Sequence, residues 1–76
     1  MARKILGPAV RAIREAQGVR HGVLADQARL SPGYLTLIEQ GRRKPSPEVI
    51  TRIASALGVT VDAISYFAVD AEEAAA

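Results

Sequence analysis

Start and stop signals for short helices recur along the whole chain, and they constrain its fold more than any other feature. The Ser-Pro pairs that begin at Ser31 and Ser46 each place a capping hydroxyl before a proline whose backbone suits the first helical turn. Gly18, Gly41 and Gly58 stand where the helices are expected to end. No segment alternates apolar and polar residues as a half-buried strand would. The pattern predicts an all-α fold without a sheet.

Apolar residues at helical spacing between these signals predict five helices. The expected helices cover about residues 5–17 and 21–28, Pro32 to Gly41, Pro47 to Gly58, and residues 61–67. Thr60 is expected to cap the last of them. We expect residues 1–69 to form one domain and residues 70–76 to be a short, acidic and alanine-rich flexible tail.

The charge of the chain is unevenly distributed. Residues 1–44 contain nine Lys or Arg against three acidic residues, a balance of +6, whereas residues 45–76 contain one Arg against five acidic residues, a balance of −4. This asymmetry favours contact between the first half and a polyanion such as nucleic acid. Charge alone does not decide the question, because solvated basic faces are common.

Composition excludes several classes of protein. The chain has no cysteine and one histidine, and its carboxylates are not clustered, so we expect neither an enzyme nor a metal or cofactor site. No apolar run is long enough to span a membrane, and the N-terminal residues lack the apolar core of a signal peptide. We therefore expect a cytoplasmic protein. Its core must be small and aliphatic, a situation in which pairing with a second chain is a common remedy.

The second and third expected helices have the spacing of a helix-turn-helix. Two helices that cross at a steep angle need a small residue at their contact and branched apolar residues behind it. Ala25 meets the first requirement, and Leu35 and Ile38 meet the second. Glu39 would then also face inward. The opposite face of the third helix would carry Gly33, Thr36, Leu37 and Gln40.

These residues resemble the phage-repressor and Cro-type, or XRE, helix-turn-helix family with its lambda-repressor-like fold. The similarity covers residues 6–67. Its most specific parts are Ile38-Glu39-Gln40-Gly41-Arg42 and Ala56 to Asp62. The segment from His21 to Gly41 and the basic segment from Arg42 to Pro45 also match the family pattern. The resemblance implies a homodimer that binds a palindromic operator in double-stranded DNA with its third helix in the major groove. It also implies a bacterial or phage-encoded, DNA-associated transcriptional regulator, and specifically a repressor.

The resemblance assigns residues of this chain to the DNA. The residues expected at base edges in the major groove are Pro32, Gly33, Thr36 and Leu37. The residues expected at phosphates are Arg20, His21, Ser31, Tyr34, Gln40, Arg42, Arg43 and Lys44. Arg3 and Lys4 form either a flexible arm that reaches DNA or an idle tail. Alternatives also remain for Leu37, which could contact a protein, for Tyr34, which could pack on the turn, and for the basic segment, because cations are favoured at any helix C-terminus.

Two further predictions concern structure rather than DNA. The resemblance pairs Arg14 with Glu39 as a largely buried ion pair between the first and third helices, the alternative being two solvated charges. Apolar residues near the end of the chain exceed what one side of a short fifth helix can bury. A dimer interface explains this surplus, the alternative being a slightly over-apolar terminus. The expected interface residues are Val61, Ile64, Tyr66 and Phe67, followed by Val69.

The sequence departs from the family pattern in three ways. Arg29 stands where the turn usually has glycine, so a positive φ is expected there. His21 replaces the usual glutamine. Pro32, Gly33 and Leu37 replace polar base-reading residues, so part of the specificity is expected to come from DNA shape. The apolar face also leaves open an adaptor that binds protein and only weakly DNA. Among regulators, a prophage repressor, a restriction–modification controller and an antitoxin-type autoregulator fit equally well.

Overall fold

A computed structural model describes residues 2–68 of the chain. In this range the elements are β1 (Ala2–Ile5), α1 (Gly7–Ala16), α2 (His21–Gln27), α3 (Pro32–Glu39), α4 (Pro47–Leu57), a 3-10 turn (Val61–Ile64) and β2 (Ser65–Ala68). None of the helices in residues 2–68 has the length and apolar character needed to span a bilayer. The prediction of a mainly helical fold is confirmed, but these residues form four α-helices rather than five.

The helix limits of α3 and α4 follow the signals in the sequence. Ser31 Oγ accepts a hydrogen bond of 3.1 Å from the backbone N–H of Tyr34, and Ser46 Oγ accepts one of 3.3 Å from that of Val49. Each of these hydroxyls satisfies an N–H that has no partner within its helix. α4 ends at Leu57, and Gly58 follows with a left-handed φ of 68° that favours glycine. Local capping thus explains where these two helices begin and where α4 ends.

The core lies between the four helices and the 3-10 turn, and its buried apolar side chains are all aliphatic. The fully buried larger side chains are Val10, Leu24, Leu35, Ile38, Ile50, Ile53 and Ile64. Every helix contributes to this set, and burying each of these side chains contributes on the order of 1.5–3 kcal/mol relative to leaving it exposed. The core therefore holds α2 and α3 at a fixed angle against α1 and α4.

The prediction of a fifth helix over residues 61–67 and of a fold without a sheet is wrong. The helical segment is only a 3-10 turn, which the Thr60 side chain does not cap. The chain then extends as β2 and pairs antiparallel with β1, with Ala2 opposite Ala68 and Ile5 opposite Ser65. The partner strand supplies hydrogen bonds that a helix would have made locally. Apolar spacing within residues 61–67 carries no information about this distant partner.

The N-terminal residues also differ from the prediction. Ile5 belongs to β1 rather than to the first helix, and Arg3 and Lys4 lie in the same strand, so they do not form a flexible arm. The Arg3 guanidinium donates hydrogen bonds to Asp62 Oδ1 at 3.0 Å and to Ser65 Oγ at 2.7 Å. It also lies 4.1 Å from the centre of the Phe67 ring. The expected tail over residues 70–76 lies outside the described residues, as does Val69.

Gly7 allows α1 to begin directly against the end of α3. A Cβ atom at this position would overlap the backbone carbonyl oxygen of Ile38 and lie 3.1 Å from that of Glu39. Because backbone atoms cannot move aside as a flexible side chain can, only glycine fits here without a shift of one helix. Gly7 thereby sets how closely α1 approaches α3, a role that no pattern in the sequence indicated.

Candidate nucleic-acid interface

The turn between α2 and α3 is closed by backbone contacts around two residues. The N–H of Leu30 donates to the carbonyl oxygen of Ala25 at 2.8 Å, and Ala25 is only 1% exposed at the helix crossing. Arg29 has a φ of 59°, so the positive φ expected at this position is confirmed. A non-glycine residue in this conformation costs on the order of 1 kcal/mol. The turn is therefore formed at the expense of some backbone strain.

α3 presents one face to the core and the other to solvent. Leu35 and Ile38 are fully buried and Glu39 is 8% exposed. The expected DNA-facing residues lie on the other side: Pro32, Gly33, Thr36 and Gln40 are exposed, and Leu37 is half-buried. A Cβ atom added to Gly33 would meet nothing within 4 Å, so its surroundings are open. This outward surface of α3, formed by Pro32, Gly33, Thr36, Leu37 and Gln40, contains few polar side chains.

Arg14 and Glu39 form a two-pronged ion pair between α1 and α3. Arg14 Nε donates to Glu39 Oε2 at 2.9 Å and Nη2 donates to Oε1 at 3.2 Å, while the two side chains are 12% and 6% exposed. Arg14 Nη1 also donates to the carbonyl oxygen of Val19 at 3.1 Å. Two parallel bonds fix orientation as well as distance. The pair therefore fixes the rotation of α3 about its axis and, with it, the direction of the outward surface.

His21 and Thr36 are brought together across the helix-turn-helix. His21 Nε2 lies 3.1 Å from Thr36 Oγ1, which also donates a hydrogen bond of 3.0 Å to the carbonyl oxygen of Pro32. His21 is half-buried and Thr36 is exposed. The first residue of α2 is thus linked to the middle of the outward surface of α3. Sequence patterns assigned each residue to DNA separately and did not indicate that they touch.

The remaining phosphate candidates of the helix-turn-helix differ in exposure. Arg20 and Ser31 are exposed and directly precede α2 and α3. The Ser31 hydroxyl already accepts the capping bond from Tyr34, so it has its proton left to donate. Tyr34 is half-buried and its side chain packs against the core. This position is consistent with packing on the turn.

The basic loop, Arg42 to Lys44, follows α3 directly. The N–H of Gly41 donates to Ile38 O at 3.0 Å, and the N–H of Arg42 donates to Leu37 O at 2.8 Å, a pattern that ends a helix with a left-handed residue. All three cations of the loop are exposed, and within residues 2–68 none of them has a carboxylate at ion-pair distance. The loop therefore adds three unneutralised charges beside the outward surface of α3.

The expected dimer residues do not lie on one surface. Ile64 is fully buried in the core of a single chain, so its assignment to a dimer interface is wrong. Val61 is half-buried and packs against the same core. Tyr66 and Phe67 are 47% and 57% exposed on β2. The two aromatic residues thus remain as the apolar surface that a second chain could cover.

Two polar contacts that support this arrangement were missed in the sequence. Arg52 Nε of α4 donates to the carbonyl oxygen of Ala28 at 2.9 Å, and Gln17 Nε2 donates to that of Leu57 at 2.8 Å. Each side chain satisfies a carbonyl at or beside a helix end that lies far away in the chain. Such contacts depend on the packed arrangement of the helices, and no local motif indicates them.

Comparison with known proteins gives this surface its context. A family model described as a helix-turn-helix domain matches residues 5–67. The chain belongs to the XRE-type helix-turn-helix family, whose members are DNA-binding transcriptional regulators rather than enzymes. The family predicted from the sequence is thereby confirmed.

Named relatives come from bacteria and a phage. The chain is 36% identical over 64 residues to the transcriptional regulator ClgR of Mycobacterium tuberculosis, covering 84% of this chain and 57% of that protein. It is 39% identical over 59 residues to the immunity repressor protein of Bacillus phage phi105, covering 78% of this chain and 41% of the repressor. The chain thus spans about half the length of these curated relatives.

A solved structure shows the same fold. The crystal structure of the clp gene regulator ClgR from Corynebacterium glutamicum superposes with a TM-score of 0.72 at 42% identity. The superposition covers 75% of this chain and 74% of that one. The fold of this chain is therefore shared with a clp gene regulator.

Proposed function

We propose that this chain is a sequence-specific DNA-binding transcriptional regulator, specifically a repressor, that acts as a homodimer on a palindromic operator. One observation carries the proposal: the Arg14–Glu39 pair holds α3 with Pro32, Gly33 and Thr36 exposed on its outward side, and three unneutralised cations follow directly in the basic loop. A helix with an exposed face beside uncompensated positive charge suits a major groove lined by phosphates. The regulator and repressor names of the relatives support this function.

In the proposed complex, α3 lies in the major groove. Gly33 allows its backbone to approach the bases, and Leu37 contacts a thymine methyl group. Thr36 already donates its proton to Pro32 O. Toward a base it therefore accepts, which suits the exocyclic amino group of adenine or cytosine. Pro32 adds apolar contact only, so much of the specificity comes from the shape of the DNA.

Phosphate contacts supply most of the proposed affinity. In the proposed complex, the phosphates of the two DNA backbones that flank the groove are contacted by residues in and around the helix-turn-helix. These residues are Arg20, His21, Ser31, Tyr34, Gln40 and the three cations of the basic loop. Lys or Arg contacts release counterions, so the logarithm of the binding constant falls by about 0.9 per neutralised phosphate for each tenfold rise in salt. Bound in this way beside a promoter, the protein would exclude polymerase sterically.

The proposed dimer uses the exposed aromatic residues of β2. Tyr66 and Phe67 are the large apolar side chains that remain accessible there. In the proposed dimer a two-fold axis passes through this surface, and the two copies of α3 would occupy half-sites about one helical turn, roughly 34 Å, apart. Residues 45–76 have a charge balance of −4. That charge favours an orientation in which the second half of the chain points away from the DNA.

Selection from random double-stranded DNA at about 150 mM salt tests the proposal. We expect a palindromic motif with half-sites about ten base pairs apart. With the selected duplex, Arg43→Ala should weaken binding and reduce the salt dependence by about one phosphate contact. Arg11→Ala is the matched control, because Arg11 is an exposed arginine of α1 that pairs with Glu15 at 2.8 Å. Equal effects of both substitutions would contradict the proposed interface.

A second candidate function is an adaptor that binds another protein through the same face. The observation in its favour is the apolar character of the outward surface, where Pro32, Gly33 and Leu37 stand. An adaptor would retain DNA only weakly and without a motif in the selection experiment, and Leu37→Ser would abolish capture of its partner protein. A clear palindromic motif would exclude this function as the main one.

A further inference from the structure

The register of the sheet leaves the backbone of Phe67 without a partner within residues 2–68. The N–H of Leu6 donates to the carbonyl oxygen of Ile64 at 2.8 Å, so this pair continues the register as a hydrogen-bonded pair. Hydrogen-bonded and non-hydrogen-bonded pairs alternate along an antiparallel ladder. Tyr66 is therefore hydrogen-bonded to Lys4, whereas the N–H and C=O of Phe67 point away from β1. Outside the sheet, no backbone hydrogen bond of the described residues uses these two groups.

The two exposed rings of β2 stand on opposite faces of the sheet. Successive side chains of a strand alternate between faces, so Tyr66 lies on one side and Phe67 on the other. The Arg3 guanidinium lies over the Phe67 ring at 4.1 Å from its centre, and the Phe67 residue nevertheless remains 57% exposed. A partner laid flat on either face would cover only one ring. A strand added at the free edge of β2 would lie next to both.

The two edges of the sheet differ in charge. β1 carries Arg3 and Lys4, and lysine on an edge strand commonly prevents pairing with another chain. A symmetric pairing of two copies about either residue would also place like charges directly opposite each other. β2 has the sequence Ser-Tyr-Phe-Ala and contains no charged residue. A second copy of the chain therefore fits the edge of β2 and not that of β1.

The sheet of β1 and β2 is too small to be stable by itself. Each strand has four residues, and β1 makes its main contact with β2 rather than with a helix. Isolated pairs of strands are marginally stable in water, whereas sheets of about four to six strands are the most common. Two copies of this sheet joined edge to edge would reach that size.

We propose that two copies of this chain dimerise by antiparallel pairing of their β2 strands, which gives one sheet of order β1–β2–β2–β1. The inference rests on the proposed function, whose homodimer it specifies. Ser65 is buried, so the accessible part of the edge runs from Tyr66 to Ala68. The two-fold axis then passes beside Phe67, and the N–H and C=O of Phe67 bond those of its copy. The two Phe67 rings lie opposite each other on one face, and Tyr66 lies opposite the partner's Ala68 on the other.

Amide hydrogen exchange of the unsubstituted protein tests the pairing directly. The Phe67 N–H should exchange at least about tenfold more slowly at concentrations that give a dimer than in the dilute monomer. The N–H of Arg3 is the matched control, because it points away from the sheet at the edge of β1 and should exchange equally at both concentrations. Sedimentation equilibrium sets the two concentrations. A dimer in which the Phe67 N–H is not slowed, or is slowed no more than that of Arg3, would overturn the proposal.

Disulfide cross-linking tests the register, because the chain contains no cysteine of its own. Tyr66→Cys and Ala68→Cys, mixed in equal amounts, should form a mixed disulfide, since the proposed register places these positions about 4.5 Å apart between Cα atoms. Both variants retain the Phe67 ring. Either variant alone should cross-link several times less, because its two copies would be about 8 Å apart, which is too far for a disulfide. Mass spectrometry distinguishes the products.

Lys4→Cys mixed with Ala68→Cys is the matched control for the cross-linking. Lys4 shares a face with Tyr66 but lies on β1, one strand further from the partner. Equal mixed disulfide in this control, or preferred self-linking of Tyr66→Cys, would overturn the pairing while DNA binding and a dimer through another surface persist. A chain that sediments as a monomer, alone and on the selected duplex, would instead contradict the homodimer of the proposed function and the strand pairing with it.

Discussion

The contact between α1 and α3 differs from the sheet of β1 and β2 in how completely its side chains are buried. At the α1–α3 contact, Arg14 and Glu39 are buried and satisfy each other, and Gly7 brings the two backbones together. At the sheet, Arg3 is satisfied within the chain, yet Tyr66 and Phe67 remain 47% and 57% exposed. The first region is complete in one chain, whereas the second leaves apolar surface uncovered. Substitutions in the first should affect folding, and those in the second should affect association.

The largest expected effect is that of Glu39→Ala. The substitution leaves the Arg14 guanidinium buried without its partner, so the free energy of unfolding should fall by about 3–5 kcal/mol. For a small domain this is a large share of the total stability. Denaturant titration followed by circular dichroism measures the loss. An unchanged transition midpoint would show that this pair does not hold α3 in place.

Glu15→Ala is the matched control for that experiment. Glu15 also accepts from an arginine, Arg11 at 2.8 Å, but both side chains are more than half exposed. The hydrogen bond and the charge of Arg11 lower the pKa of Glu15. The contribution of this pair is present above the ordinary glutamate pKa and is lost as the pH falls through the lowered pKa. Because solvent screens the pair, Glu15→Ala should scarcely change the transition at neutral pH.

Gly7→Ala tests the close approach of α1 to α3. The added methyl group would meet the carbonyl oxygen of Ile38, so one helix must shift, at a cost of about 1–3 kcal/mol. Gly22→Ala on α2 is the control, because its added methyl group meets nothing within 4 Å. That substitution should stabilise the helix by about 0.5–1 kcal/mol. Thermal unfolding of both variants should therefore shift in opposite directions, and a shift of the same sign would contradict the packing argument.

Phe67→Ser tests the uncovered region. If β2 forms the dimer interface, loss of this ring should weaken association by about 1–2 kcal/mol, which sedimentation equilibrium measures as a larger monomer fraction. Val23→Ser is the control, because Val23 is 46% exposed but lies on α2. A monomer fraction that changes equally in both variants would place the interface elsewhere.

Arg29→Gly should produce the smallest effect. Glycine adopts the φ of 59° without strain but loses more conformational freedom on folding, so a net gain of at most about 0.5 kcal/mol is expected. Arg29→Ala retains a Cβ atom and should bring no gain. Chemical denaturation of the two variants measures the difference. Equal stability would mean that the turn is not strained at this residue.

Those parts of the fold that depend on contacts between residues close together in the chain can be predicted from the sequence. Ser31 and Ser46 mark α3 and α4 because a capping bond spans only a few residues. The Arg29 conformation followed from its place in a turn of known shape. β2 could not be predicted in this way, because its hydrogen-bonding partner lies at the other end of the described chain. Ile64 was misassigned for the same reason: apolar character alone does not distinguish a core residue from an interface residue.

Within the candidate site, the outward face of α3 and the Arg14–Glu39 pair were predicted from the sequence, whereas the contact between His21 and Thr36 was missed. The exposure of Pro32, Gly33 and Thr36 follows from helical periodicity, which places them opposite Leu35 and Ile38. The bond between Thr36 and His21 depends on the angle between α2 and α3, and this angle is set by the core. The close approach at Gly7 likewise exists only once α1 has docked.

The pairing of Ala2 with Ala68 has a consequence for the order of folding. Strands so far apart along the chain must close a loop of nearly the whole domain, and such long-range contacts form late. The α2–α3 unit involves neighbouring segments and can form early. A chain on its folding pathway would therefore complete α3 before it builds the aromatic surface of β2. Any dimer would then assemble from monomers whose helix-turn-helix is already in place.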